Sequence, residues 1–187
     1  MRLFFALIPD NLATKSLCAV IATLKRIASI QAVPVENYHV TLAFIGEIPS
    51  ESLPLIREVG AAQQVSCGAI ALDACEYWAQ SGVVVATATE VARGIADLAA
   101  RLQSATAAYR IGTRAEPPWR PHVTLARKVL QPPVLPAMST ISWTARSFAL
   151  MSSQRHERRS VYTVVDTWPL LDRLTAAKIS SKSTDLR

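Results

Sequence analysis

Apolar and polar positions change period several times along the chain, and each change marks an element. Leu3 to Ile8 is a short apolar run ended by Pro9-Asp10, which reads as a buried strand followed by a helix start. Leu17, Val20, Ile21, Leu24 and Ile27 then recur at helical spacing and predict an amphipathic helix over about 11–29. After Pro34, His39 to Ile45 alternates as a strand does and stops at Gly46. A shorter helix opening at Ser50-Glu51 carries Leu53, Ile56 and Val59. Strand-like segments at about 67–75 and 82–89 flank a turn at Gln80-Ser81-Gly82, and a long helix with Val91, Ile95, Leu98 and Leu102 on one face fills about 90–108.

Beyond Pro117-Pro118 a strand runs from Pro121 to about Val129. A proline-broken connector, Gln131 to Pro136, leads to long strands at about 141–151 and 160–168, with the charged run Arg155-His156-Glu157-Arg158-Arg159 turning between them. Residues 180–187 are polar and read as a frayed tail. Helices and strands mix without the strict alternation of a doubly wound parallel sheet. The pattern predicts an α+β fold with mainly antiparallel pairing, in one domain over 1–187.

Composition narrows the picture. Half of the 187 residues are apolar and 18% are charged, which excludes disorder, and no stretch approaches the roughly 20 apolar residues of a membrane span. The six-residue apolar run near the N-terminus is too short for the core of a signal peptide, and Cys18, Cys67 and Cys75 lack metal or redox spacing. A cytoplasmic protein with free thiols is expected. The formal charge of +6 comes mostly from Arg, the side chain suited to phosphate oxygens.

The candidate chemistry lies in a repeat. His39-Val40-Thr41-Leu42-Ala43 recurs letter for letter as His122-Val123-Thr124-Leu125-Ala126, and these copies hold two of the three histidines. In a strand, His39 and Thr41 share one face, about 7 Å apart, while Val40 and Leu42 take the other; His122 and Thr124 repeat the arrangement. Two such strands facing each other would gather two imidazoles and two hydroxyls around one small volume. A neutral imidazole accepts a proton, a charged one donates it, and uncharged hydroxyls can hold phosphoryl oxygens as charge builds. A lone strand His is commonly structural, but exact repetition favours catalysis. A metal reading competes, yet Thr is a poor ligand and no Asp, Glu or Cys repeats with the pair, so neither metal nor cofactor is expected. His156 reads as a solvated turn residue, with RNA contact as the alternative.

Around these motifs the sequence resembles the 2H phosphoesterase superfamily, marked by paired H-x-T-x motifs, here 83 residues apart. Within it the chain is most similar to the bacterial RNA 2′,3′-cyclic phosphodiesterases, the 2′-5′ RNA ligase or LigT-like family. The resemblance takes in Arg2 to Ala6, Glu36 to Gly46, Arg120 to Arg127 and Tyr162 to Leu170. It departs at Ala43, where relatives often carry Lys, and at Trp119, where Phe is common.

The resemblance implies a two-lobed, pseudo-twofold fold, each lobe an antiparallel sheet backed by helices, with the active-site cleft between them. It also implies hydrolysis of RNA 2′,3′-cyclic phosphate ends to a 2′-phosphate, with His39 as proton donor, His122 as proton acceptor, and 2′-5′ ligation as the reverse. RNA with such ends, or a related small nucleotide, would be the partner of a monomeric enzyme; the alternative is a non-catalytic RNA-binding protein of the same fold. Arg127 fits the second motif as a phosphate ligand, but strict alternation points it away from His122 and Thr124, so a bulge or strand end is required. Phe44, Tyr38 and Trp119 could stack on a nucleobase or pack in the core.

Overall fold

A computed structural model of the chain describes residues 1–109, 118–156 and 159–172. Among these residues three α-helices, α1 (Asn11–Ile27), α2 (Leu53–Ala61) and α3 (Arg93–Thr106), accompany ten strands. The strands are β1 (Arg2–Leu7), β2 (Gln31–Ala32), β3 (Val40–Glu47), β4 (Gly68–Leu72), β5 (Ala74–Trp78), β6 (Val83–Thr87), β7 (His122–Arg127), β8 (Ile141–Ala145), β9 (Ser147–His156) and β10 (Arg159–Pro169).

Local chemistry accounts for the helices. Asp10 caps α1 by accepting the Ala13 N–H at 2.8 Å, Leu17, Ile21 and Leu24 are buried along one stripe, and Lys25 and Arg26 complement the C-terminal dipole. In α3 the buried stripe is Ile95, Leu98, Ala99 and Leu102. This helix begins at Arg93, later than the pattern predicted, because Val91 is bridged to Ile70 and the Ala92 N–H donates to the Ala69 carbonyl. In α2, a Cβ on Gly60 would lie 2.6 Å from the Trp168 ring, so only glycine lets that indole rest against the helix backbone.

The strands form an antiparallel sheet in the order β10-β9-β1-β3-β7-β6-β5, with β2 on β7, while β4 and β8 pair separately. β3 and β7 meet at the single pair Val40–Val123, and there the sheet divides into two halves of similar design. One half is β3-β1-β9-β10 and the other β7-β6-β5, each carrying one copy of the repeated pentapeptide on the strand at the junction. α3 lies against β3, α1 against β8, and most buried side chains make one contiguous cluster, while Phe4, Ala6, Ala149 and Met151 form a second with Tyr162 packed against it.

Two expected strands prove to be two each. The segment predicted at 67–75 is β4, paired with β8, and then β5, paired with β6, with Asp73 between them fastened to the Thr87 carbonyl and to Thr89. The segment at 141–151 divides at Arg146 into β8 and β9, which serve different sheets. Alternation assigns a side chain to a face but not a strand to a partner, so a change of sheet within an apolar run leaves no mark on the pattern. The tail at 180–187 and residues 157–158 of the charged turn lie outside the described residues.

Candidate active site

His39 stands immediately before β3 and His122 opens β7. Each ring Nδ1 lies 2.7 Å from the carbonyl oxygen two residues upstream, Asn37 in one case and Arg120 in the other. A carbonyl oxygen only accepts, so each Nδ1 carries the proton of that bond, and each Nε2 is left free to accept one or, when charged, to donate it. The antiparallel pairing centred on Val40–Val123 sets His39 level with Thr124 and Thr41 level with His122. Both imidazoles and both threonine side chains line one cavity.

Both motif strands are bulged at the same place. Opposite β3, Phe5 pairs with Ala43 and Ala6 with Thr41, leaving Leu42 over; opposite β7, Val84 pairs with Ala126 and Val85 with Thr124, leaving Leu125 over. Leu42 and Ala43 are consequently both buried, as are Leu125 and Ala126, and the alternation restarts one residue later. Both displaced carbonyls are satisfied: Leu42 O accepts from Gln103 Nε2 at 2.9 Å and Leu125 O from the Val33 N–H at 2.8 Å. The shift turns Phe44 and Arg127, which follow the two identical pentapeptides, to the side that carries the histidines. This is the bulge that Arg127 requires, and Phe44 is its counterpart in the first half.

These side chains line a cavity of about 400 Å³, together with Arg2 and Phe4 from β1, Trp78 from β5, and Ser153, Ser160 and Tyr162 from β9 and β10. Among the described lining residues Arg2 and Arg127 are cations and there is no carboxylate, so the field favours an anion. Phe44, 52% exposed, stands at the mouth. Of the other expected aromatics, Tyr38 is buried in the core. Trp119 does not line the cavity; it packs against the core and donates its indole N–H to the Thr41 carbonyl at 2.8 Å, bracing one motif against the approach to the other.

The two histidines have different surroundings. Phe4 lies 4.9 Å from the His39 ring and Tyr162 meets it edge-on at 5.2 Å, while the Asn37 side chain donates to the Ser160 carbonyl and ties this corner to β10. Burial, with Arg127 and His122 adding to it against the Asn37 bond, pushes the His39 pKa down to about 4. The His122 ring lies 4.6 Å from that of Trp78, and the Arg120 guanidinium lies over the same indole, 5.2 Å from its centroid, and pairs with Glu76 at 2.6 Å. Burial lowers the His122 pKa as well, aided by Arg127 and Arg120 and opposed by its bond to the Arg120 carbonyl. Burial alone would raise Glu76, but hydrogen bonds from Trp78 and Thr87 and the Arg120 charge hold its carboxyl below the ordinary value, ionised beneath the indole. Of the residues that the repeat does not mark, Arg2, Arg120 and Tyr162 fall in segments that carry the family resemblance, whereas Glu76 and Trp78 have no signal in sequence beyond their alternate spacing on β5.

Comparison with known proteins agrees with this architecture. The sequence pattern of the 2′-5′ RNA ligase superfamily matches residues 13–157. The chain belongs to that superfamily. Among its relatives, the RNA 2′,3′-cyclic phosphodiesterase of Thermus thermophilus is 29% identical over 180 residues, covering 91% of this chain and 90% of the relative. The protein of the same name from Escherichia coli is 29% identical over 140 residues, covering 74% of this chain and 78% of the relative. The crystal structure of E. coli LigT complexed with NADP+ superimposes with a TM-score of 0.81 at 26% identity, covering 91% of this chain and 98% of that one. The superfamily fold of this chain is thus the α+β, two-halved antiparallel arrangement described above.

Proposed function

We propose that the protein hydrolyses the 2′,3′-cyclic phosphate ends of RNA to a 2′-phosphate and a free 3′-hydroxyl, without a metal ion. The observation that carries this reading is the pair of imidazoles with free Nε2 atoms, gathered with two threonine side chains in a cavity whose charged lining groups, among the described residues, are arginines. The names of the two bacterial relatives support it. Water attacks phosphorus and gives its proton to Nε2 of His122; the P–O3′ bond breaks, and Nε2–H of His39 protonates the departing oxygen. Thr41 and Thr124 donate to the non-bridging oxygens as charge grows on them, and Arg127 and Arg2 hold the phosphate as an anion. Phe44 is placed to stack on the terminal base. With a 5′-hydroxyl attacking phosphorus in place of water, its proton passing to His122 while the P–O3′ bond breaks and His39 protonates O3′, the same groups would form a 2′-5′ linkage.

Incubation of a short RNA ending in 2′,3′-cyclic phosphate, in excess chelator, should yield the 2′-phosphate. Recovery of the 3′-phosphate, or activity only after a divalent ion is restored, would overturn the proposal.

The pH dependence follows from the lowered imidazole pKa values. In the empty cavity both rings are neutral at pH 7, which suits His122 as base but leaves His39 without the proton it must give. That proton is gained as the pH falls toward 4, or when a bound phosphate anion raises the ring's affinity for it. The expected result is a bell-shaped kcat/KM with its maximum below the ordinary imidazole value of about 6.5, and a kcat profile displaced to higher pH. A kcat/KM maximum above pH 8 would contradict the assignment.

Arg127→Ala should raise KM by roughly tenfold or more while changing kcat less, because the guanidinium acts on the phosphate before and during reaction alike. The difference from the parent should shrink as salt is added. An unchanged KM at low salt would remove Arg127 from the site.

A further inference from the structure

A second cavity, of about 680 Å³, adjoins the first through Arg127, Ser160 and Tyr162 and extends between α1, the segment 31–38 and the end of β9. Among the described residues four cations face it, Lys25, Arg127, Lys128 and Arg155, and no Asp or Glu lines it. Among the described residues none of the four is ion-paired with a carboxylate. Its remaining wall is largely apolar, with Ile21, Val33, Pro34 and half-exposed Val35. Charge in search of anions beside apolar surface is the composition of a single-strand nucleic-acid groove, which holds phosphates with cations and base faces on apolar side chains.

The backbone is bent to build it. In a regular strand Lys128 would point to the face opposite Arg127, yet both line this groove. Lys128 makes this possible with φ +57°, the only non-glycine residue with positive φ among those described. Such a conformation is unfavourable for a side-chain-bearing residue and persists where its surroundings fix it. Here the Val129 N–H donates to the Gly82 carbonyl at 2.9 Å and the Tyr77 hydroxyl donates to the Val129 carbonyl at 2.9 Å, clamping the residue that follows.

We propose that this groove binds the RNA strand on the 5′ side of the cyclic end, so that the preferred substrate is an oligonucleotide and not a nucleoside 2′,3′-cyclic phosphate. The inference rests on the reading of the first cavity as the seat of the terminal phosphate. A cavity of about 400 Å³ lies at the small end of ligand sites and suits one nucleotide, and the larger groove takes the chain that leads to it. Arg127 stands at the junction, where terminal and preceding phosphates come closest.

The test is binding of a fluorescent hexaribonucleotide ending in 2′-phosphate, read by anisotropy, against adenosine 2′-phosphate as competitor. The parent protein is compared with a triple variant, Lys25→Gln, Lys128→Gly and Arg155→Gln, in which glycine suits the left-handed backbone. The parent should bind the hexanucleotide at least tenfold more tightly than the mononucleotide. The variant should lose about tenfold or more of the former affinity and less than twofold of the latter. Its plot of log affinity against log salt should be shallower by about 2, near 0.7 for each phosphate contact removed. Equal losses for both ligands, no loss for either, or competition by polyglutamate as effective as by RNA would overturn the groove. Failure of the parent to hydrolyse a cyclic end while these binding differences persist would instead condemn the proposed reaction and leave the groove standing.

Discussion

Replacing either His39 or His122 with alanine is expected to lower kcat on an RNA 2′,3′-cyclic phosphate by about 10² to 10⁴-fold, and replacing both should cost little more than replacing one. The factor is what a positioned proton donor or acceptor supplies. The shortfall from additivity follows from the concerted use of the pair: once the base is gone, attack on phosphorus limits the rate and an acid waiting for the leaving oxygen has little left to accelerate. His39 packs against Phe4 and Tyr162, and His122 against Trp78, so removal of either ring also removes aromatic contact. The thermal midpoint of each variant must therefore be measured beside its rate. Folded variants with rates within tenfold of the parent would leave the imidazoles as structural residues and return the protein to the RNA-binding alternative.

A substrate with sulfur in place of the 3′ oxygen should then separate the two rings. A thiolate departs without protonation, so the donor becomes dispensable while the acceptor, which still has to activate water, does not. With His39 as donor, the His39→Ala variant should recover to within about tenfold of the parent on the sulfur substrate, from a deficit of about 10² or more on the natural one, and His122→Ala should stay impaired on both. Rescue of His122→Ala alone would exchange the roles. Rescue of neither would mean that each ring also holds the phosphate as a cation, a possibility that the proximity of Arg127 to both rings makes worth resolving.

The lowered pKa values give these experiments a further use. Both rings are neutral at pH 7 in the empty cavity, so the site does not choose between donor and acceptor by resting charge; the bound phosphate must do so. His39, set among Phe4 and Tyr162, has the greater burial cost to overcome before it holds a proton. His122, over a Trp78 ring flanked by the Arg120 cation, has a charged neighbour opposing its protonation as well. Charged neighbours oppose protonation of both rings, Arg127 and His122 at His39 and Arg127 with Arg120 at His122, so it is the sulfur substrate that assigns donor and acceptor.

Much of the fold was legible without coordinates because it rests on local regularities. Period-two and helical spacing located β1, α1, β3, α3 and β7, and the Asp10 cap and the Gly82 turn stand where side-chain chemistry puts them. The repeat singled out His39, Thr41, His122 and Thr124, since an exact copy containing so rare a residue is informative in itself. Other features depended on which strand meets which. The divisions of 67–75 and 141–151 arise from changes of partner, and the bulges at Leu42 and Leu125 arise from the count of residues opposite them on β1 and β6. Alternation alone turns Arg127 away from the histidines; the bulge turns it, and Phe44, toward them. Trp119 shows the converse, an aromatic beside the second motif whose ring the packing directs to the core and the Thr41 carbonyl. The sequence by itself therefore determined which groups could perform the chemistry and on what kind of element they stand, because propensity and periodicity act between near neighbours. Tertiary structure alone decided their mutual placement, their lowered pKa values and the basic groove beside them, because each depends on strands and loops far apart in the chain meeting at one place.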